Sequence, residues 1–409
     1  MWRQKSDREL EQIQKNIEYW EWKIKVFLAD ILSMDLEIRQ NMDDRMIELE
    51  NLVNTYGWIV IVKHIQNKST PDYNTFIGEW RLDEIINEME SEWANILILW
   101  NILKSHQIYK INEKLRHIWA KAWDRVDLIL KIFEKHAKSR EAKLQIELAA
   151  IKHMWPRIFG MWMELSKQWW WVWTRWKWET NTEIMKRHLR KKEQNIREEL
   201  EHFEKVRAQH RQSRNRKWIQ TVWIVWYTNA WKSTLTNSLT KKWVLEEDKL
   251  FATLWTSVWK MFIPASYETE TNKYIAPREI LINDTIWFIR ELPPKLIDAF
   301  KSTLEDSIES DLLIHVVDAS DPKLDIKIKV VDDILENIWA KQKKIYVFNK
   351  IDSIDKWEYV IEIDWEKKIY SSKLEYIKEK FFYLKPIFIS AYEKIGLDEL
   401  RDYIITKLS

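Results

Sequence analysis

Lys232 and Ser233 stand in the segment Trp226-Tyr227-Thr228-Asn229-Ala230-Trp231-Lys232-Ser233-Thr234, between the apolar run TVWIV and a helical pattern. A lysine and a hydroxyl at the mouth of a helix suit phosphate chemistry. The ammonium of Lys232 reaches the β and γ oxygens, the Ser233 hydroxyl binds Mg²⁺, and the N–H groups of the preceding loop turn inward around the anion. The pattern that does this is G-x-x-x-x-G-K-[ST], matched here except that tryptophan stands at both glycine positions. Three further segments follow in order. Asp284-Thr285-Ile286-Trp287 puts a carboxylate at a strand end, where it holds the metal's water shell, and then a residue whose N–H can reach the γ phosphate. Asn349-Lys350-Ile351-Asp352 offers a carboxylate able to pair with both N1–H and the 2-amino group of guanine, donors that adenine lacks. Phe388 to Tyr392 ends the next strand and brings Ser390, Ala391 and Tyr392 near the base. A lone NKID is more often a surface turn. Four such segments in order, each after a strand, imply a fold that binds GTP.

The two tryptophans in the phosphate loop belong to a wider pattern. The chain has 28 tryptophans and four glycines in 409 residues, whereas usual glycine usage of about 7% would give about 29. The simplest account is a stop codon that the cell reads as glycine and that has been written as tryptophan. Literal indoles at Trp226 and Trp231 would fill the phosphate cradle, where the backbone needs conformations a side chain disfavours. The same substitution turns the stretch from Trp169 to Trp178, six tryptophans in ten residues, from an exposed aromatic patch into a glycine-rich loop.

Elements that could position these residues are legible along the chain. Met1 to about Glu50 is charged with recurring apolar residues and predicts a helix or helical pair. GWIVIVK at Gly57 to Lys63 and ANILILW at Ala94 to Trp100 read as strands around a helical LDEIINEME, with a third strand at Gln107 to Ile111. Asp127 to Phe159 has helical spacing, ending near Pro156 and Gly160. Leu189, Ile196, Leu200 and Phe203 mark one apolar stripe on a linker helix or helical hairpin. From Thr221, strands TVWIVW, EILIND, LLIHVVDAS, KIYVFNK and KPIFISA alternate with helices at Ser233 to Thr240, Leu296 to Ser307, Lys323 to Lys341, Ser371 to Phe382 and Leu397 to Leu408. The expected fold class is α/β: an N-terminal α/β domain at 1–160, a glycine-rich-type loop and basic helical linker at 161–217, and a mostly parallel, doubly wound nucleotide-binding domain at 218–409.

Composition narrows the function. Lys plus Arg total 66 against 64 acidic residues, so nucleic-acid affinity requires local clustering. Ile184 to Trp218 supplies it, with twelve Lys or Arg against five Glu; a solvated helix face and an RNA contact are equally open readings. The absence of cysteine excludes disulfides, thiolate catalysis and cysteine zinc sites. No apolar run is long enough to span a bilayer and the first residues are too polar for a secretion signal, so a cytoplasmic protein is expected.

The chain resembles the HflX GTPases of the Obg-HflX branch. Beyond the shared nucleotide motifs, the resemblance rests on TFIGEWRLDEI (Thr75 to Ile85), KSREAKLQIELA (Lys138 to Ala149), GMWMELSKQWWWVWTRWKWET (Gly160 to Thr180), LFATL (Leu250 to Leu254) and DTIWFIRELPPKLIDAFKSTLED (Asp284 to Asp306). It spans about residues 45 to 395. By this resemblance Trp162 is a true tryptophan, whereas Trp80, Trp169, Trp170, Trp171, Trp173, Trp176, Trp178, Trp226, Trp231 and Trp287 match family glycines. It implies a cytoplasmic GTPase using GTP/GDP and Mg²⁺ that binds the large ribosomal subunit and its rRNA and splits stalled ribosomes; a monomer is expected. It further implies that Phe251, Ala252, Thr253 and Leu254 form the switch segment, with Thr253 closing onto Mg²⁺ beside Ser233 and Asp284. Trp255 and the run NTEIMKR depart from the family pattern.

Hydrolysis needs a positioned water and neutralised charge. Lys232, Thr253 and Asp284 are the expected catalytic residues. Phe288 stands where Ras-like enzymes carry a water-orienting glutamine, so intrinsic turnover should be slow and partner-stimulated. Asn229 sits where a K⁺ ion is coordinated in cation-dependent relatives. Two other readings compete: a GTPase of ribosome assembly, in the manner of Era or Obg, and a nucleotide-binding-deficient scaffold with literal tryptophans. Decay would scatter substitutions, yet Lys232, Ser233, Asp284, Asn349, Lys350 and Asp352 are intact.

Overall fold

The computed structural model describes residues 24–32, 42–137, 139–168, 175–216, 219–227, 232–239, 258–263, 266–268, 273–275, 277–284, 296, 310–354, 359–363 and 366–408. The chain divides into two compact units, Met1–Lys135 with Ile146–Asn195, and His136–Gln145 with Ile196–Ser409.

In the first unit, strands and helices alternate: β1 (Lys25–Leu32), α1 (Met42–Tyr56), β2 (Ile59–Asn67), α2 (Glu79–Ser91), β3 (Ile96–Leu99), α3 (Ser105–Leu115), β4 (Lys121–Asp124) and α4 (Arg125–His136). The strands form an all-parallel sheet of order β2-β1-β3-β4. Phe27, Ala29, Leu97 and Leu99 on one face pack against Leu82, Ile85 and Met89 of α2 and Ile111 and Leu115 of α3. Each such Phe, Leu, Ile or Met side chain contributes about 1.5–3 kcal/mol. Two expectations are corrected here. β1 lies inside the stretch that reads as helical, because Val26 to Ile31 are all buried and a parallel strand covered on both faces shows no alternation. The strand expected at Gln107 to Ile111 is helix α3, whose buried residues Gln107, Ile111 and Leu115 recur every fourth position, the helical period.

Two long helices follow, α5 (Arg140–Gln168) and α6 (Arg175–Arg216). α5 continues through Pro156 and Gly160, where an end was expected, and α6 is one 42-residue helix rather than a hairpin. Of the glycine-rich-type loop expected here, residues up to Gln168 and from Arg175 are helical, and 169–174 lie outside the described residues. A helix position costs tryptophan roughly 0.5 kcal/mol less than glycine, so Trp176 and Trp178 favour helix where glycine would oppose it. The stripe on α6 is as expected: Ile196 is buried and Leu189, Leu200 and Phe203 are half-buried. Arg140 pairs with Glu199 at 2.8 Å, and Lys192–Glu147 and Arg207–Glu141 are further ion pairs of the two helices.

The second unit carries β5 (Gln220–Trp226), α7 (Lys232–Leu239), β6 (Val258–Ile263), β7 (Ser266–Glu268), β8 (Lys273–Ile275), β9 (Arg278–Asp284), β10 (Leu312–Asp318), α8 (Leu324–Asn337), β11 (Lys343–Asn349), β12 (Tyr359–Ile363), β13 (Glu366–Tyr370), α9 (Lys373–Lys380), β14 (Ile387–Phe388) and α10 (Leu397–Leu408). A six-stranded sheet runs β14-β11-β10-β5-β9-β6. It is parallel except for β6, which pairs antiparallel with β9. All five expected strands and the helices at α7, α8, α9 and α10 are present; the helix expected at Leu296 to Ser307 lies outside the described residues apart from Leu296. Val331, Ile334 and Leu335 of α8 cover Trp223, Val225 and Leu313, and Ile377 of α9 and Phe381 just beyond it cover Val317, Tyr346 and Phe348.

Four helical segments end alike. One or two residues past the helix the backbone turns left-handed; the N–H of that residue donates to the carbonyl three residues back, and the next N–H donates to the carbonyl five residues back. After α1 the left-handed residue is Gly57 (φ 99°), with bonds of 3.0 Å to Asn54 and, from Trp58, 3.2 Å to Val53. The same role falls to Trp93 (φ 55°) after α2, Trp119 (φ 57°) after the turn that follows α3, and Trp339 (φ 62°) after α8. At the last, Trp339 N–H donates to Glu336 at 2.9 Å and Ala340 N–H to Leu335 at 3.0 Å. This cap favours glycine, since a Cβ in the left-handed region costs about 1–2 kcal/mol. The three indoles are 83%, 92% and 74% exposed, so burial does not offset that cost. Phe76, Lys350, Lys385 and Lys394 also adopt positive φ, so the conformation alone does not demand glycine; the repeated cap with Gly57 as one of its four occupants is the stronger indication. Trp223 adds a different one: its indole is buried in β5 and Nε1 has no hydrogen-bond partner, which costs about 1–3 kcal/mol.

In the first unit, a buried charge cluster fastens α5 to the end of β4. Arg157 donates to both oxygens of Asp127 at 2.8 and 2.7 Å and also to Asp124. His153 Nε2 lies 3.4 Å from Asp124 and 3.3 Å from Asp127, without an aligned hydrogen bond. Two carboxylates and a histidine could ligate a cation, but the guanidinium already supplies the counter-charge.

Candidate functional site

Parallel strands deliver their carboxyl ends to one edge of a sheet, and in a doubly wound sheet that edge is where ligands bind. In the second unit β5, β9, β10, β11 and β14 bring Trp226, Asp284, Asp318, Asn349 and the Ser390 loop to that edge.

The segments expected to recognise the base are fully described. Asn349 ends β11, is 1% exposed, and accepts a 2.9 Å hydrogen bond on Oδ1 from Ala391 N–H. Its carbonyl accepts another at 2.9 Å from Ala319. Asn349 therefore ties the loop after β14 to the ends of β10 and β11 instead of facing solvent. Lys350 is left-handed (φ 66°), reversing the chain so that Asp352 follows in a short 3₁₀ turn. Ser390 Oγ donates to Asp352 Oδ1 at 2.5 Å, Ser353 Oγ donates to Oδ2 at 3.0 Å, and Glu393 N–H donates to Ser390 Oγ at 3.0 Å. Slight burial pushes the Asp352 carboxyl up, but the hydrogen bonds from Ser390 and Ser353 outweigh it and hold it below the ordinary aspartate value. An ionised acceptor is what N1–H and the 2-amino group of guanine require. Tyr392 is exposed and Ile351 half-buried beside this loop. Gly396 (φ 72°) is a true glycine: a Cβ would sit 2.5 Å from the Phe388 carbonyl.

The phosphate half is described at its ends. β5 finishes at Trp226, 1% exposed, and α7 opens at Lys232 and Ser233. Tyr227 is buried, with Lys327 Nζ 5.2 Å from its ring centre. Thr234 is buried, its carbonyl accepts from Ser238 Oγ at 2.7 Å, and Arg401 of α10 donates to the Ser238 carbonyl at 2.6 Å. Thr228, Asn229, Ala230 and Trp231, the segment Phe251-Ala252-Thr253-Leu254, and Thr285-Ile286-Trp287 with Phe288 lie outside the described residues. Asp284 ends β9 and pairs in register with Ile224 of β5. The strand bearing the carboxylate is thus next to the strand that leads to Lys232 and Ser233. Ser233, Thr253 and Asp284 offer only hard oxygen donors, the ligand type that Mg²⁺ takes, so the donor set fits that ion.

The sheet-edge arrangement exposed two residues that motif spacing passes over. Asp318, at the end of β10, accepts from Lys350 Nζ at 2.6 Å, and Lys373 at the head of α9 donates to the Ser320 carbonyl at 3.0 Å. The signal available for Asp318 was its place at the end of LLIHVVDAS, one more strand finishing in a carboxylate.

A mostly parallel doubly wound sheet with a lysine-headed helix after its first strand, and an ionised aspartate set by a serine at the base position, defines a P-loop GTPase. Comparison with known proteins agrees along most of the chain. Residues 43–134 match the GTP-binding GTPase N-terminal family, 136–214 the GTP-binding GTPase middle region, and 221–350 the family described as 50S ribosome-binding GTPase. The GTPase HflX of Caldanaerobacter subterraneus subsp. tengcongensis is 37% identical over 90% of this chain and 77% of its own length, and that of Escherichia coli K12 is 34% identical over 80% and 74%. The crystal structure of SsGBP in complex with GDP aligns over 94% of this chain and 98% of its own, at 25% identity and TM-score 0.50. The chain belongs to the GTPase HflX family, as the resemblance in its motifs implied. It is a GTP-binding, GTP-hydrolysing enzyme. Among the described residues no helix is long and apolar enough to cross a membrane.

Proposed function

We propose that this GTPase binds the large ribosomal subunit and separates the subunits of stalled ribosomes. The observation that carries the reading is the match of residues 221–350 to a 50S ribosome-binding GTPase family on a chain whose other parts match HflX-type regions. The basic helix α6 supports it, because exposed Arg187, Arg190, Lys191 and Arg197 suit the phosphates of rRNA in contacts that weaken with salt. On this reading 1–160 and the linker 161–217 engage rRNA and 218–409 is the GTP-dependent switch, in a cytoplasmic monomer.

In the same reading the cell's chain has glycine at 226, 231 and 287. Lys232 then meets the β and γ phosphates, Ser233, Thr253 and Asp284 hold Mg²⁺, and Asp352 with Ser390, Ala391 and Tyr392 selects guanine. The ion supplies charge neutralisation at the phosphates. Asn229 adds a K⁺ ligand, and Phe288, unable to orient water, leaves turnover slow until the ribosome orders the switch segments. Three left-handed tryptophan caps and the unpartnered Trp223 support the glycine reading from outside the motifs. Intact mass of the native protein tests it: tryptophan mass at every site would refute it.

The functional test is light scattering or sedimentation of 70S ribosomes with the purified native protein. GTP-dependent separation is expected, and K232A should lose it while retaining RNA affinity; loss of both together would refute the division of labour. Binding only to immature subunits would favour the assembly role instead.

A further inference from the structure

The loop from the end of β10 to the start of α8 carries no nucleotide motif, yet it is bonded to the base-recognition segment. Asp318 Oδ1 accepts from Ser320 N–H at 3.0 Å and from Ser320 Oγ at 2.6 Å, while Oδ2 accepts from Lys350 Nζ at 2.6 Å. Asp318 and Asn349 are register partners at the ends of neighbouring strands, so the carboxylate and the lysine start from the same sheet edge. Both side chains are mostly buried, 17% and 19% exposed, which keeps solvent screening low. Lys373 holds the Ser320 carbonyl from α9, and Asp321 in the same loop accepts from Lys323 N–H at 2.8 Å and pairs with Lys327. The carboxylate of Asp318 is therefore held in place by the protein's own groups.

We infer that Asp318 is a positioning residue for guanine-nucleotide binding: it fixes the Lys350 side chain beside the base site before the nucleotide arrives. A lysine stem has many rotamers, and ordering it on binding would cost affinity. An ion pair made in advance removes that cost. The inference rests on the GTPase reading of the Asn349-Lys350-Ile351-Asp352 segment and extends it to a residue outside every motif.

The experiment is a double-mutant cycle on the full chain with glycine at 226 and 231, read by titration of fluorescent GDP. D318A is expected to weaken GDP binding about 2- to 12-fold, the ordering cost of one long side chain. D318N keeps an acceptor for Ser320 and is the variant to use where D318A unfolds; it should fall between D318A and wild type. In a K350A background the effect of D318A should vanish, because the residue acts through Lys350 alone. An undiminished loss in that background would assign Asp318 a general structural role and overturn the inference, as would unchanged GDP affinity in both Asp318 variants. Failure of the chain with glycine at 226 and 231 and no other change to bind GDP would instead refute the nucleotide-site reading itself, so the two failures are distinguishable.

Discussion

Trp339→Gly should stabilise the second unit, against the usual expectation that removing a large aromatic destabilises. Trp339 is left-handed at φ 62°, follows α8, and closes its last turn with bonds of 2.9 and 3.0 Å that glycine keeps. Relief of the left-handed strain is worth about 1–2 kcal/mol, and the extra freedom of glycine in the unfolded chain takes back about 0.4–1 kcal/mol. The indole is 74% exposed, and among the described residues its ring contact is with Lys341 at 5.8 Å, a surface cation–π contact of at most about 0.5–1 kcal/mol. The expected net change is a gain on the order of 0.5 kcal/mol. Trp339→Ala separates the backbone effect from loss of the ring, since alanine removes the indole but keeps the Cβ. Urea unfolding of the two variants should place the glycine form about 1 kcal/mol above the alanine form with equal slopes. Equal midpoints for the two would refute the strain argument. Gly57→Ala, the reciprocal change at the same kind of cap, should lose about 1 kcal/mol.

The remaining predictions concern the base site, the buried cluster and the cation. Asp352→Asn should cost about 10- to 100-fold in GDP affinity through loss of a charge-assisted acceptor, read by nucleotide titration; an unchanged Kd would place the base elsewhere. Burial pushes His153 down, but Asp124 and Asp127 outweigh it and raise its pKa. Its stabilisation is therefore complete below the ordinary value of 6.5 and is lost as pH rises through the higher folded-state value. Unfolding midpoints of the first unit should fall with rising pH in that window, and H153Q should abolish the fall; a wild-type midpoint flat across it would contradict the assignment. Asp127 has the opposite sign: burial pushes it up, but His153 and Arg157 hold it well below the usual carboxylate range. Its contribution is present above an ordinary value of 3.8 and disappears only as strong acid protonates it, so R157M should shift acid unfolding to higher pH. GTP hydrolysis should run faster in potassium than in sodium, and equal rates would remove the K⁺ ligand role of Asn229.

The order of motifs along 409 residues determined the nucleotide class by itself, because phosphate and guanine recognition each demand particular atoms at strand ends, and such demands are local. Helix caps are local too, but only the backbone showed that Trp93, Trp119 and Trp339 take left-handed cap positions. The structure alone decided what depends on neighbours distant in sequence. β1 is unreadable from its own residues because both faces are covered by other elements, and α3 reads as a strand by itself because only packing sets Gln107, Ile111 and Leu115 on one buried face. Asp352 and Ser390 could be proposed from sequence, but their 2.5 Å bond, 38 residues apart, follows from the adjacency of β11 and β14. Asp318 became a candidate only when the sheet placed its carboxylate 2.6 Å from Lys350, since chemistry read along a chain cannot see a partner that the fold supplies from another strand.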